Sequence, residues 1–272
     1  MALQYGYPKT RKRLFWYDTV MNKSLELSDH HFIRNVLLEE GIDSDAYPFN
    51  IPSVSKLEDI NFDRAVTFLV GENGSGKSTI IEAIATAAGF NSEGGSKNMN
   101  FSTRDTTSSL SKKIRLVQGI TKPRTGYFLR AESFYNVASN IESLDASGGG
   151  ALIGANYGNV PLHHQSHGES FLALINNRFG PNGLYILDEP EAALSPERQL
   201  SLLIRIKQLV VEGSQFIIAT HSPVLLACPE ATIYELSKDG VAKTDYEETR
   251  HYNFMLDFLS NHQAYTRRLT GE

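Results

Sequence analysis

Short apolar runs alternate along this chain with segments of helical period, and polar, glycine-bearing stretches separate them. AVTFLV, residues 65–70, reads as a strand and runs directly into GENGSGKST. Behind it Ile80, Ile81, Ala83, Ile84, Ala85 and Ala88 recur at helical spacing, with Gly89 placed as a stop, so the spacing predicts strand, loop, helix in that order. GLYILDEP, residues 183–190, and IIATHSP, residues 217–223, each present an apolar strand ending in polar residues. KKIRLVQ and TGYFLRA predict two further strands joined by a proline-containing turn. Upstream, SDHHFIRNVLLEEG places Phe32, Ile33, Val36 and Leu37 on one helical face. Ser28 or Asp29 would cap that helix and Gly41 would stop it. Residues 91–112 and the glycine-rich stretch 145–159 lack any period and predict exposed loops. No internal repeat or heptad run is present.

The loop carries the first chemistry. Its strand and helix flanks point the backbone N–H groups of Gly71, Glu72, Asn73, Gly74, Ser75, Gly76, Lys77, Ser78 and Thr79 around a phosphate chain. In that arrangement Lys77 faces the β- and γ-phosphates and Ser78 offers its hydroxyl to Mg²⁺. Two carboxylates, Asp188 and Glu189, end the later strand. Asp188 would hold Mg²⁺ through water and Glu189 would orient or deprotonate the attacking water. QSHGESF, residues 165–171, stands before a helix with Gly168 20 positions ahead of Asp188. A serine, a glycine and a helix N-terminus together suit an anion. A second phosphate site would be redundant within one chain, so this one serves a neighbour's nucleotide. His221, delivered by the IIATHSP strand, is placed to donate to a γ-phosphate.

Composition narrows the class. The chain has 272 residues, 41% of them hydrophobic, which allows one large domain or a domain with a smaller lobe. No stretch reaches the ~18 apolar residues of a spanning helix, and MALQYGYPKTRKR has no apolar run before a cleavage site, so a cytoplasmic location is expected. The single cysteine, Cys228, excludes an internal disulfide and reads as a small core residue. A net charge of −5 argues against coating nucleic acid by bulk electrostatics. The local basic patch Lys9, Arg11, Lys12 and Arg13 is either a solvated tail or a phosphate contact.

GENGSGKST, SHGES, LDEP, AALSPE and THSP, in this order, resemble the ATP-binding-cassette ATPases. They are most similar to the soluble branch of RecF and the SMC proteins, and to small stand-alone ATPases whose signature likewise reads SHGES. The resemblance covers residues 47–246 and implies an α/β P-loop NTPase fold, an ABC-type ATPase head with a mixed sheet and a small helical subdomain. The implied domains are an N-terminal extension with one helix over 1–46, the ATPase domain over 47–247 with its helical and signature lobe at 91–182, and a C-terminal helix over 248–272. The implied machine is a homodimer closing on two ATP molecules with Mg²⁺. Ser166, Gly168 and Glu169 of one subunit then complete the site held by the other, Leu194 and Ser195 communicate across the dimer, and His221 is the switch histidine.

The departures refine the expectation. Gln165, His167 and Glu169 replace the residues of the LSGGQ form found in transporter subunits, which leans towards the soluble branch. The glutamine-loop position falls on Gln118 by residue type or on Glu132 by its place after the second strand, and Glu132, as a further metal-site residue, is favoured. Tyr47 or Phe49 would stack on adenine. With 75 residues and no heptads between 91 and 165, the head carries no coiled-coil arm, and the asparagine-lysine-x-aspartate element of guanine-specific loops is absent, so ATP is preferred to GTP. The expected function is an ATP-hydrolysing dimerisation switch driving a partner protein or a DNA transaction, in genome maintenance or anti-phage defence. The alternatives are a transporter's nucleotide-binding subunit, with a membrane partner, and an ATP-gated binding module with negligible turnover.

Overall fold

A computed structural model describes residues 31–39, 45–97, 109–132 and 167–270. Parallel strands dominate a seven-stranded sheet. They are β3 (Val66–Gly71), β6 (Thr125–Arg130), β7 (Gly183–Asp188), β8 (Gln215–Ala219) and β9 (Thr232–Ser237). With β4 (Gly95–Ser96) and β10 (Gly240–Thr244) at the edges, the order is β10-β9-β3-β8-β7-β6-β4. Both edge pairings are antiparallel, which makes the sheet mixed as the resemblance implies. A second, antiparallel sheet has the order β2-β1-β5, built from β1 (Ile33–Leu38), β2 (Asp59–Asn61) and β5 (Ile114–Gln118).

The central strands are buried on both faces, which explains their unbroken apolar runs. Alternate side chains of β3 show the division. Phe68 and Val70 join a core with Phe171, Leu202 and Ile206 from α3 (His167–Arg178) and α4 (Pro196–Val211). Leu69 points the other way, into a core with Ile80, Ile81 and Ile84 of α2 (Lys77–Ala87), Val36 of β1, Ile60 of β2 and Ile114 of β5. Helix α2 is thus packed between the two sheets. Two four-residue helices, α1 (Pro52–Ser55) and α5 (Pro223–Leu226), and the long α6 (Arg250–Thr270), kinked at Asn261, are the other α-helices among the described residues, with short 3-10 turns at Ser109–Lys112, Pro190–Ala193 and Tyr246–Glu248. Cys228 is buried in the first core, as its residue type suggests, and burial pushes its thiol up to about 11.

Two expectations change. Residues 33–38 form a strand, not the helix the 28–41 pattern predicts, because pairing with both β2 and β5 satisfies their backbone and buries Ile33 and Val36. The described part of the 1–46 extension is therefore part of the fold. β5 and β6 are strands joined by a proline-containing turn, as expected, and the turn carries the chain from one sheet to the other. The described part of 91–182 holds β4, β5 and β6 besides α3, so that stretch is not a separate helical lobe. Helix α6 falls where a C-terminal helix is expected. Residues 1–30, with the basic patch, lie outside the described residues.

One side chain of the main sheet hydrogen-bonds both backbone groups of the first residue of β1. Gln215, the first residue of β8, accepts from Ile33 N at 3.0 Å and donates from Nε2 to Ile33 O at 2.8 Å. Both bonds are buried, and either backbone group left unpaired costs about 1–3 kcal/mol. Gln215→Ala is expected to lower the unfolding free energy by about that amount in urea titration. An unchanged midpoint would show that water replaces the clamp.

Candidate functional site

Parallel register brings three strand ends to one edge of the sheet. Leu69 of β3 and Asp188 of β7 both pair with Ala219 of β8, so the glycine loop, the acidic pair and His221 leave the sheet side by side. Thr220 N donates to Leu69 O at 3.1 Å and Glu189 N to Ala219 O at 3.0 Å, carrying the alignment beyond the strands.

The loop closes on Gly76, whose φ of 92° is open to glycine and which precedes the first residue of α2. A Cβ there would also stand 2.9 Å from Ser53 Oγ, so α1 packs against the turn. Lys77 is 3% exposed, and its ammonium donates to Gly71 O and Glu72 O at 3.0 Å each. Burial lowers its pKa, while Glu189, Asp188 and Glu191 oppose that shift. Glu72, Asn73 and Gly74 face solvent, Ser75, Ser78 and Thr79 are half-buried, and Gly71 and Gly76 are buried beneath them.

Across from the loop, Ser78 Oγ donates to Asp188 Oδ1 at 3.1 Å. Arg130, at the end of β6, reaches Asp188 Oδ2 with Nε at 3.4 Å and Glu82 Oε2 of α2 with its terminal nitrogen at 2.7 Å. Burial pushes the Asp188 carboxyl up to about 6 even though Arg130 and Ser78 pull it down, and the charges of Glu189 and Glu132 add to the rise. A buried carboxylate whose cationic partners do not offset its desolvation, paired with a hydroxyl oxygen, is a donor set that fits Mg²⁺. Glu132 lies exposed in the turn after β6, close enough for its charge to act on Asp188, whereas Gln118 ends β5 in the other sheet.

Glu189 stands in the left-handed region at φ 51° and ψ 52°. For a non-glycine residue that conformation costs about 1 kcal/mol or more, and here it brings the carboxylate to His221 in the loop after β8. His221 Nε2 lies 3.2 Å from Glu189 Oε1, an approach without hydrogen-bond alignment. His221 N donates to Glu191 Oε1, and burial raises the Glu191 carboxyl above the usual range. On its far side His221 Nδ1 meets His251 Nε2 of α6 at 3.1 Å. Arg250, one residue earlier, is paired with Glu72 of the glycine loop. Among the other expected residues, Leu194 O accepts from Gln199 Nε2 at 3.1 Å, and Gln199 Oε1 accepts from Ser222 Oγ, joining the loops after Asp188 and after His221. Ser195 caps α4, accepting from Arg198 N at 3.4 Å.

Gly168 packs against these loops within one chain. A Cβ at this position would stand 2.5 Å from the Arg198 guanidinium and 2.9 Å from Ala193 O, and Glu169 pairs with Arg198 at 3.1 Å. Ser166, Gln165 and the rest of the signature before His167 lie outside the described residues. Of the two aromatics, Tyr47 is 69% exposed and Phe49 is 7% exposed in the core around α2, leaving Tyr47 free to stack. Sequence reasoning missed Arg130, Glu82, Glu191, Gln199 and His251. Glu191, Glu82 and Gln199 follow closely on LDEP, GENGSGKST and AALSPE, and Arg130 closely precedes Glu132, but no local pattern says what each side chain meets; His251 stands near no motif, and only the packing of α6 brings it in.

Comparison with known proteins returned two family models and a set of solved structures. Residues 49–142 match a family model described as "AAA domain", and residues 136–227 match one described as "AAA domain, putative AbiEii toxin, Type IV TA system". Among solved structures, the SMC head domain from Thermotoga maritima is 16% identical, with 79% of this chain and 98% of that chain covered and a TM-score of 0.42. CbiO1 from Clostridium perfringens, part of the ABC transporter complex cbiONQ, is 15% identical over 86% and 97% of the two chains, with a TM-score of 0.43. A nucleotide-free ATP-binding cassette from an ABC transporter is 14% identical over 84% and 95%, also with a TM-score of 0.43. A search of the curated proteins found no match.

The shift at Asp188 has a testable sign. Its folded pKa of about 6 lies above the ordinary 3.8, so between these values the folded state holds a proton the unfolded chain has lost. Stability contributed by this group therefore falls as pH rises from 4 to 6 and is level above that. Asp188→Asn should gain on the wild type over that window, by on the order of 3 kcal/mol at most, when unfolding free energies are measured without nucleotide or Mg²⁺. A gap that is constant from pH 4 to 7 would place the penalty on another group.

Proposed function

We propose that this chain, an ATPase of the ABC- and SMC-like AAA class, hydrolyses Mg²⁺-ATP at the edge where β3, β7 and β8 end, and that two copies close on the nucleotide and reopen after hydrolysis. The observation that carries the reading is the grouping of Lys77, Ser78, Asp188, Glu189 and His221 around one strand edge, with Glu189 held in a left-handed conformation facing His221.

In this reading the loop's N–H groups and Lys77 bind the phosphates, and the ammonium exchanges the carbonyls of Gly71 and Glu72 for phosphate oxygens. Ser78 and Asp188, with Glu132 nearby, would hold Mg²⁺, which supplies charge stabilisation at the β- and γ-phosphates. Glu189 orients a water and takes its proton, and His221 donates from Nε2 to the γ-phosphate, leaving Glu189 free to act on the water. Tyr47 stacks on the adenine. Among the described residues nothing brings α3 over the loop of its own chain, and the signature Ser166-Gly168-Glu169 is assigned to a second copy's nucleotide, with Ser195 at the contact between copies.

The step driven by closure is assigned to a partner protein or to DNA, in genome maintenance or anti-phage defence. The toxin–antitoxin wording of the second matching family favours that class over a transporter. A cytoplasmic location goes with it; among the described residues no helix is long and apolar enough to cross a membrane.

Lys77→Ala should abolish ATP binding in a folded protein, read by fluorescent-nucleotide titration, because the buried cation facing the phosphates is gone. Glu189→Gln should bind ATP with near wild-type affinity yet turn over about 10²- to 10⁴-fold more slowly. With ATP the same variant should run as a dimer in light scattering, and wild-type activity per subunit should rise with protein concentration. A trapped variant that stays monomeric, together with concentration-independent activity, overturns the shared site while leaving the single-chain assignments standing.

A further inference from the structure

Helix α6 exposes its length to solvent and has no fully buried residue, yet its first turn reaches the centre of the site. Thr249 fixes that turn. Its side chain is fully buried, it donates to Tyr246 O at 2.7 Å, and it accepts from Tyr252 N at 3.3 Å. Arg250 then pairs with Glu72 of the glycine loop, and its backbone N donates to Glu235 Oε1 of β9 at 3.3 Å. His251 follows, with its ring 5.2 Å from the ring of His221, tilted by 56°, and Nε2 3.1 Å from His221 Nδ1.

One hydrogen between these two nitrogens decides the state of the switch histidine. If His221 Nδ1 donated, neutral His221 would turn the bare lone pair of Nε2 towards the Glu189 carboxylate, 3.2 Å away. His251 would then carry its proton on Nδ1, which is buried with no hydrogen-bond acceptor, at a cost of about 1–3 kcal/mol. If His251 Nε2 donates, His221 becomes the Nε2–H tautomer and His251 Nδ1 needs no acceptor. That tautomer puts a proton and not a lone pair beside the Glu189 carboxylate, favoured by charge although not aligned as a hydrogen bond. His251 is also kept neutral, since burial first and then the neighbouring His221 and Lys77 lower its pKa.

We infer that His251 is a positioning residue for hydrolysis. Its Nε2–H holds His221 in the Nε2–H tautomer, so that the proton His221 would offer to a γ-phosphate is in place beside Glu189 before nucleotide arrives. The inference rests on the reading of His221 as the γ-phosphate contact only for its catalytic consequence; the tautomer itself is a property of the nucleotide-free protein. Because His251 belongs to α6, the same contact makes the state of the switch histidine depend on where that helix stands.

The test is long-range ¹H–¹⁵N correlation of histidine-labelled, nucleotide-free protein, with the His221 signals assigned from His221→Gln. The wild type should show a protonated Nε2 and a bare Nδ1 on His221. His251→Phe, which fills the space without a donor, should give a mixture of both tautomers, and His251→Gln, whose amide can donate, should restore the single form. In steady-state assays His251→Phe should lose about tenfold or more in kcat with KM for ATP little changed, and His251→Gln should recover most of it. A wild-type His221 protonated on Nδ1, or one unchanged by His251→Phe, overturns the inference. Should His251→Phe fail to fold, the wild-type spectrum alone decides. An unaltered kcat in His251→Phe alongside the expected tautomer shift would keep the positioning contact and remove His221 from the rate-limiting step, which is a failure of the functional reading instead.

Discussion

A buried carboxylate at the end of a buried strand is the constraint around which the molecule is arranged. Asp188 is 5% exposed, and burial costs its charged form more than Arg130 and Ser78 return. Such a group survives only if cations and donors are brought to it from elsewhere in the chain. Arg130 comes from the neighbouring parallel strand, Ser78 and Lys77 from the first turn of α2, and each is placed by the register of β6, β7, β8 and β3. A slip of one residue in any of these strands would turn the polar ends into the core and break the arrangement.

That dependence explains why α2 is enclosed. The helix that begins with Lys77 is covered on one side by the main sheet and on the other by β1, β2 and β5, so the loop at its N-terminus has little freedom to move as a unit. The strain at Glu189 and the crowding at Gly76 and Gly168 are the local expression of the same packing. Gly168 is small for an intrachain reason as well as the one the signature suggests, because Arg198 and the loop after Glu189 fill the space its side chain would need.

The C-terminal helix belongs to this economy. It contributes no fully buried side chain, and Phe254, Leu256 and Leu259 face solvent, while its first turn touches both the glycine loop, through Arg250 and Glu72, and His221, through His251.

The sequence by itself determined the strand, glycine loop and helix over 66–87, the acid pair at the end of β7 and the histidine after β8. Each depends on residues adjacent in the chain, where spacing and local conformation specify the element. It also placed α6. It misread residues 33–38, since their apolar spacing fits a helical face as well as a strand, and only the partners β2 and β5, together with Gln215 on β8, 182 positions away, settle the choice. Arg130, Gln199 and His251 were invisible for the same reason. A guanidinium, an amide or an imidazole acquires its role from the atom it meets, and those atoms are supplied by strand register and helix packing that no local pattern encodes.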